Sequence, residues 1–197
     1  MRERGQQMTH TKKNNLKFIK NKKMHYPEKE AYLYIRQQFA DQGITLKEMA
    51  IEAKRDQDEH GVKASVEDYI KAIENLLHKH DVLSIILTGF SIDRLAEQHK
   101  LPEPLQAIVE NDLPLYSVDE LLSIGLTEMY GGIAVTNYGF RDVKKRQLAK
   151  RVDESKDHVN CFLDDLVSAI IACAEAIVAH GLQENKASFT DIDKKFE

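Results

Sequence analysis

The stretch 158–181 constrains the fold more than any other part of this 197-residue sequence. At roughly 100° of rotation per residue, its apolar side chains cover most of the helical circumference, which predicts a helix buried on nearly every side. Its uncharged run, Leu166 to Ala174, is nine residues long, far short of the roughly 20 that span a bilayer. We therefore predict an all-α fold, a single-domain multi-helix bundle with one central, mostly buried helix.

Six further helices are predicted from apolar periodicity and from their start and stop signals. Because no segment alternates polar and apolar residues over a sustained length, no sheet is expected. The glycine-containing stretch 131–139 is predicted to be a loop, and it is the one loop with a distinctive sequence. Three helix starts have the spacing of a capping box, Thr45 with Glu48, Ser65 with Asp68 and Ser117 with Glu120. The predicted helices cover 28–41, 45–58, 65–79, 81–98, 102–111, 117–130 and 158–181.

Charge is distributed unevenly along the chain. Residues 1–25 hold eight Lys or Arg and one acid, a net charge of +7, which leaves −11 for the rest of a chain with a formal net charge of −4. We expect a basic, disordered extension over 1–25, an all-helical domain over 26–182 and a polar tail over 183–197. The acidic body argues against nucleic-acid binding and favours cations.

The basic extension has no apolar run of the kind found in secretory signals or membrane anchors. An alternative to a plain disordered extension is a peripheral membrane contact, because each basic residue near an anionic lipid surface contributes about 1 kcal/mol. The two cysteines lie too far apart on the predicted helix to form a disulfide. A cytoplasmic location is therefore expected, with any lipid contact at the inner face of the membrane. The sequence leaves homo-oligomers open.

The acid pair Asp164-Asp165 lies on the central helix, where charge is unexpected. The two residues share a strip of the helix with Cys161, Glu175 and several small residues, which predicts a groove lined with carboxylates. The alternative is a start-of-helix effect, since acids in a first turn interact favourably with the helix dipole. The predicted start near 158 places the pair about two turns into the helix, which favours a functional role.

Asp93 and Glu97 form a second acid pair, which continues the apolar stripe of its helix provided that Gly89 does not break that helix. At an i, i+4 spacing two carboxylates lie on one side and can share a cation such as Mg²⁺. Ordinary ion pairing with Arg94 or Lys100 is the alternative.

Asp119 and Glu120 form a third pair, near the start of helix 117–130. The predicted buried face of that helix places Asp119 at its edge and Glu120 opposite. That face consists of Val118, Leu121, Leu122, Gly125, Leu126 and Met129.

Burying several like charges costs several kcal/mol per ion unless a counter-ion compensates. Because the three acid pairs offer only oxygen ligands, Mg²⁺ or Mn²⁺ is the expected cofactor, and no Cys and His spacing suggests zinc. Carboxylate sites of this kind commonly serve phosphoryl chemistry.

Five motifs occur in order along the chain and are far more specific together than singly. Over roughly residues 28–181 the sequence resembles the soluble branch of the phosphatidylglycerophosphatase A family, which includes the low-temperature-requirement C proteins. The resemblance implies a helical bundle and Mg²⁺-dependent removal of phosphate from phosphatidylglycerophosphate, giving phosphatidylglycerol in phospholipid biosynthesis. The motifs are L-T-G-F-S-I-D-R-L-A-E (87–97), L-P-E-P-L-Q (101–106), L-Y-S-V-D-E-L-L (115–122), Y-G-G-I-A-V-T-N-Y-G (130–139) and F-L-D-D-L-V-S-A-I (162–170).

The same resemblance implies roles for particular residues. Asp165 and Asp119 are implied to be catalytic, with either one as the general base. Lys145 and Asn137 are implied to bind the phosphate of a phospholipid head group at the membrane surface. The implied metal ligands are Asp93, Glu97, Asp119, Glu120, Asp164 and Asp165.

The chain also departs from the family pattern. Asn160 stands where a His usually precedes a T-F-L-D-D stretch, and 142–147 keeps the Asp and the second Lys of a D-K-x-K-P-G sequence without its Pro-Gly turn. One alternative is therefore a catalytically impaired member that acts as an interaction or regulatory protein. Another is an all-helical nucleotide pyrophosphatase, although the E-E-x-x-E with E-x-x-D pairing of those enzymes is not evident.

Overall fold

The computed structural model describes residues 25–144, 147–155 and 157–181, and these residues form nine α-helices and no strand. The all-α prediction is confirmed. The predicted extension 1–25, apart from its last residue, and the predicted tail 183–197 lie outside the described residues. The helices are α1 Glu28–Asp41, α2 Leu46–Glu59, α3 Val66–Leu76, α4 His80–Glu97, α5 Leu105–Glu110, α6 Val118–Glu128, α7 Gly132–Lys144, α8 Gln147–Asp153 and α9 Leu163–Ala179.

Helix α9 is the centre of the bundle. Every residue from Leu163 to Val178 is buried, because α2, α3, α4, α6, α7 and α8 all pack against it. Helix α1 packs on α4 and so lies one layer further out. The prediction of a central, mostly buried helix is confirmed, and within the described part of the chain no helix is long and apolar enough to cross a membrane.

Two of the three predicted capping boxes are complete. Thr45 Oγ1 accepts a hydrogen bond from the Glu48 amide, and the Glu48 carboxylate accepts one from the Thr45 amide, each at 3.1 Å. Ser65 and Asp68 make the same reciprocal pair at the start of α3. The third prediction was wrong, because Ser117 has a left-handed backbone (φ 56°) and its side chain makes no capping hydrogen bond.

The predicted loop 131–139 is instead most of helix α7, so that prediction was wrong. Glycine and β-branched residues give this stretch a low intrinsic helix propensity. Packing overrides it, because Ala134, Tyr138 and Arg141 recur at i, i+4 and i+7 and are buried, with α9 as the principal neighbour of α7. Helix α8 was also missed by the sequence analysis.

Helix α9 begins at Leu163 and not near 158, so Asp164 and Asp165 lie in its first turn. The Asp93 carboxylate of α4 accepts hydrogen bonds from the Phe162 and Leu163 amides at 3.0–3.2 Å and thereby caps the helix start. The sequence favoured a functional role for Asp164 and Asp165 over a start-of-helix effect. The position of the two residues in the first turn shows that the start-of-helix effect applies in part. Both carboxyls are nevertheless buried, which a dipole effect alone does not require.

The face of α6 that was predicted to be buried is buried only in part. Asp119, Ser123 and Thr127 are buried together with Leu126, while Val118 and Leu121 face outward. The polar side of this helix therefore faces the bundle. Of the six residues that periodicity assigned to the core, Val118, Leu121 and Met129 are exposed.

Gly89 does not break α4, which is continuous from His80 to Glu97. A Cβ atom at position 89 would lie 2.6 Å from Leu166 Cδ1 and 3.0 Å from Phe162 Cβ. The absence of a side chain lets α4 approach the start of α9 closely enough for Asp93 to reach its amides.

Candidate metal centre

A pocket of about 220 Å³ opens beside the first turn of α9, and we call it the acidic pocket. Helix α9 contributes Asp164 and Asp165, and the first turn of α6 contributes Asp119 and Glu120. The remaining walls come from the segment 112–117, from the end of α7 and from Cys161. Its six carboxyl-bearing residues are Asp112, Asp119, Glu120, Asp142, Asp164 and Asp165.

The crowding of these carboxyls is visible in their proton affinities. Burial raises the pKa of Asp165 to about 9, and the negative charges of Asp164 and Asp119 add to the effect. Burial also raises the pKa of Glu120, with Asp119 as the next cause. In the absence of a cation, the pocket therefore favours a protonated Asp165 at neutral pH.

Two carboxylate oxygens in the pocket lack a partner among the described residues. Asp119 Oδ1 and Glu120 Oε2 are both buried and accept no hydrogen bond there. A buried, unpartnered acceptor costs about 1–3 kcal/mol, and more if it is charged. A divalent cation ligated by these oxygens would remove that cost.

Asp112, Asp119 and Cys161 each place one ligand atom within 4.8 Å of the others, so this group could hold a metal ion. The Cys161 thiol donates to Asp119 Oδ2 at 3.7 Å, and burial raises the pKa of the thiol. As a thiol it is a weak ligand, and the hard carboxylate oxygens around it suit Mg²⁺ or Mn²⁺. The residues present therefore fit such an ion.

Asp93 and Glu97 do not line the acidic pocket. Asp93 caps α9, and its pKa is raised well above the ordinary value by burial, although the amides of Phe162 and Leu163 oppose that rise. Glu97 accepts from the Val159 amide at 3.2 Å and lies 2.9 Å from His158 Nδ1. Both acids have protein partners, and they line a separate small cavity with His158 and Asn160.

A second buried group of acids lies further along α9, and we call it the Arg141 cluster. Arg141 donates to Glu52 at 2.8 Å, to Asp56 at 2.7 Å and to Glu175. Glu175 was predicted to share a carboxylate-lined groove with Asp164 and Asp165, and that prediction was wrong. The acids on this side of α9 belong to two sites, the acidic pocket and the Arg141 cluster, because Arg141 of α7 packs against Glu175.

Of the two residues predicted to bind phosphate, Asn137 does not line the acidic pocket. The Asn137 side chain donates to Glu175 Oε2 at 2.6 Å and so belongs to the Arg141 cluster. Lys145 lies outside the described residues.

Asp112, Asp142 and Cys161 line the acidic pocket but were absent from the predicted site. Asp142 lies one helical turn after buried Tyr138. This helical spacing could identify Asp142 only if 132–144 were predicted to be a helix. Asp112 sits on a loop with a positive φ of 44°, and no periodic pattern identifies such a residue.

An all-helical bundle with carboxylates gathered at the start of its central helix defines the class of this protein, and comparison with known proteins defines the family. The Phosphatidylglycerophosphatase A family profile matches residues 61–180, so the chain belongs to that family. The matched segment includes every acid of the acidic pocket.

Two relatives from Bacillus subtilis are similar in sequence. The uncharacterized protein YpjQ is 35% identical over 153 residues, which cover 78% of this chain and 86% of YpjQ. The uncharacterized protein YutG is 46% identical over 109 residues, which cover 55% of this chain and 66% of YutG.

Solved structures confirm the fold. The crystal structure of YpjQ from Bacillus subtilis matches with a TM-score of 0.75 and 34% identity, and covers 81% of this chain and 99% of that one. The crystal structure of the low temperature requirement C protein from Listeria monocytogenes matches with a TM-score of 0.72 and 31% identity. The match covers 78% of this chain and 97% of that one.

Proposed function

We propose that this protein is a Mg²⁺- or Mn²⁺-dependent phosphatase that removes the terminal phosphate from phosphatidylglycerophosphate and leaves phosphatidylglycerol. Membership of the Phosphatidylglycerophosphatase A family supports the substrate. The observation that supports a bound cation is the pair of buried carboxylate oxygens, one on Asp119 and one on Glu120, that have no hydrogen-bond partner among the described residues. When bound, a divalent cation supplies positive charge against the phosphoryl oxygens.

The residues of the acidic pocket suit the proton transfer that hydrolysis requires. As a carboxylate, Asp165 accepts the proton of the water whose oxygen attacks phosphorus, while the bond from phosphorus to the glycerol oxygen breaks and that oxygen takes up a proton from solvent. Asp119, on the facing helix α6, is the alternative base. A cation bound in the pocket would favour the carboxylate form of Asp165 that this step requires.

The test is phosphate release from phosphatidylglycerophosphate in mixed micelles, with Mg²⁺ or with EDTA. We expect Mg²⁺-dependent release by the parent protein and a loss of at least about 100-fold in Asp165→Asn, the range typical of general-base removal. The exposed Asp81→Asn variant controls for loss of one acid and should retain full activity.

Other outcomes would favour other functions. Hydrolysis of nucleoside triphosphates in preference to the lipid would indicate a nucleotide pyrophosphatase. No turnover of any phosphoester by folded protein would contradict the proposal and favour an interaction or regulatory role.

A further inference from the structure

The outward face of α6 is apolar although nothing in the described structure covers it. Leu121 is 63% exposed and Val118 is 40% exposed, whereas the polar residues Ser123 and Thr127 are fully buried. Single exposed leucines are normal on a protein surface. A helix that buries Ser123 and Thr127 while it exposes Val118 and Leu121 is not, even though Leu126 is also buried.

Further exposed apolar residues lie at the acidic pocket or next to its lining in the chain. Leu115 is 96% exposed and lines the pocket together with Leu113. At the end of α7, Val143 is 80% exposed and directly follows the pocket residue Asp142. We call Leu113, Leu115, Val118, Leu121 and Val143 the apolar collar, since each lines the pocket or is the chain neighbour of a residue that does.

We propose that the apolar collar docks the acidic pocket onto a phospholipid bilayer, with the collar in the interfacial region and the phosphate-bearing head group in the pocket. The identity of that head group rests on the proposed function. An exposed apolar patch rimmed by polar groups marks an interaction site, and two members of this one, Leu113 and Leu115, line the acidic pocket itself.

Two observations favour a bilayer over a second copy of the chain. A partner protein seated on the collar would cover the mouth of the pocket, whereas a bilayer supplies the molecule that enters it. The exposed cation Lys144 lies next to Val143 at the end of α7, and basic residues beside an apolar contact are attracted to anionic lipid surfaces.

Vesicle flotation tests the docking surface, with the full chain and vesicles of phosphatidylcholine and phosphatidylglycerol. The variant is the double substitution Leu121→Ser with Val143→Ser, at positions that are 63% and 80% exposed and do not line the acidic pocket. The matched control is Leu33→Ser with Ile51→Ser, at exposed positions on α1 and α2 (54% and 48%).

We expect the collar variant to bind vesicles at least tenfold more weakly than the parent, with the control variant within twofold of it. Every variant retains residues 1–24, so a contribution of that segment to vesicle binding is the same in all of them. Equal flotation of the collar variant and the parent would show that any vesicle binding depends on another part of the chain, and it would overturn the inference. A parent dimer that the collar substitutions dissociate, seen by sedimentation, would assign the surface to a second copy and also overturn it.

Turnover separates this inference from the proposed function. On vesicle-borne phosphatidylglycerophosphate the collar variant should lose at least tenfold in kcat/KM, and on a short-chain analogue dissolved as monomers it should match the parent. Equal losses on both substrates would contradict docking. If the parent turns over neither substrate but floats in a collar-dependent way, the phosphatase proposal fails and the docking surface stands.

Discussion

Helix α9 carries two buried groups of acids that differ in how the protein compensates their charge. In the Arg141 cluster, Glu52, Asp56 and Glu175 all receive hydrogen bonds from one buried guanidinium. In the acidic pocket, oxygens of Asp119 and Glu120 are left without partners in the described structure. The first group is completed by the chain itself, and the second has the form expected of a site for an external cation.

The comparison teaches that burial of a carboxylate does not by itself indicate function. Glu175 is more deeply buried than Asp165, and burial raises the pKa of both. Only Glu175 has Arg141 beside it, which lowers its pKa in opposition to burial. The partner of each acid, and not its depth, separates a structural acid from a candidate ligand.

The largest expected effect follows from removing the internal cation. Arg141→Met leaves three buried carboxylates without their guanidinium, which should lower the free energy of unfolding by about 3–5 kcal/mol. Urea denaturation followed by circular dichroism measures the change. Arg151→Met, at an ion pair whose arginine side chain is 50% exposed, should cost less than about 1 kcal/mol, and equal losses in the two variants would refute the structural role of the cluster.

A somewhat smaller effect is expected from adding the external cation. Mg²⁺ at 100 times its dissociation constant should raise the free energy of unfolding by about 2.7 kcal/mol, since it binds the folded chain. The rise should vanish in Asp119→Asn and persist in Glu175→Gln. If both variants respond to Mg²⁺ as the parent does, the ion binds outside the acidic pocket.

Gly89→Ala tests the packing that positions the pocket end of α9. Because the added Cβ would lie 2.6 Å from Leu166 Cδ1, we expect a loss of about 1–3 kcal/mol from overpacking. Gly125→Ala on α6 meets nothing within 4 Å and should stabilise the chain by about 0.5–1 kcal/mol. Thermal unfolding of the two variants checks the contrast, and a stabilised Gly89→Ala would contradict the close approach of the helices.

The pH dependence of stability distinguishes the acidic pocket from the Arg141 cluster, and it gives the smallest expected effect. Burial raises the pKa of Asp165 to about 9 in the folded chain, against about 3.9 when unfolded. Between these values only the folded chain holds this proton, so its contribution to stability falls as pH rises from about 4 to about 9.

Between pH 6 and pH 7, Asp165→Asn should remove up to about 1.4 kcal/mol of that pH dependence. Urea titrations in EDTA at several pH values measure it, with Asp81→Asn as the control that keeps the parent slope. An unchanged slope in Asp165→Asn would contradict a protonated Asp165.

The sequence predicts the architecture well because the strongest signals are local. The apolar circumference of 163–178 identifies the central helix, and the capping boxes at Thr45 and Ser65 mark two helix starts. The acids of α6 and α9 that meet in the pocket are also identified locally, because each helix carries its two acids at adjacent positions in the chain. These features depend on residues within a few turns of one another.

The remainder depends on contacts between distant segments. Helix α7 has poor intrinsic propensity and forms because Tyr138 and Arg141 pack inward, so Asp142 could not be placed in the site from local pattern. Periodicity also assigned the apolar stripe of α6 to the core, since it cannot distinguish a core from an exposed docking surface. The capping role of Asp93 depends on the approach of α4 to α9.

The most direct test of the central claim is an anomalous difference map from a crystal of the protein soaked in Mn²⁺, recorded near the manganese absorption edge. A peak in the acidic pocket within coordination distance of Asp119 or Asp165, with none at the Arg141 cluster, is the predicted result. No peak in the acidic pocket at saturating Mn²⁺ would contradict the account, as would a peak found only at the Arg141 cluster.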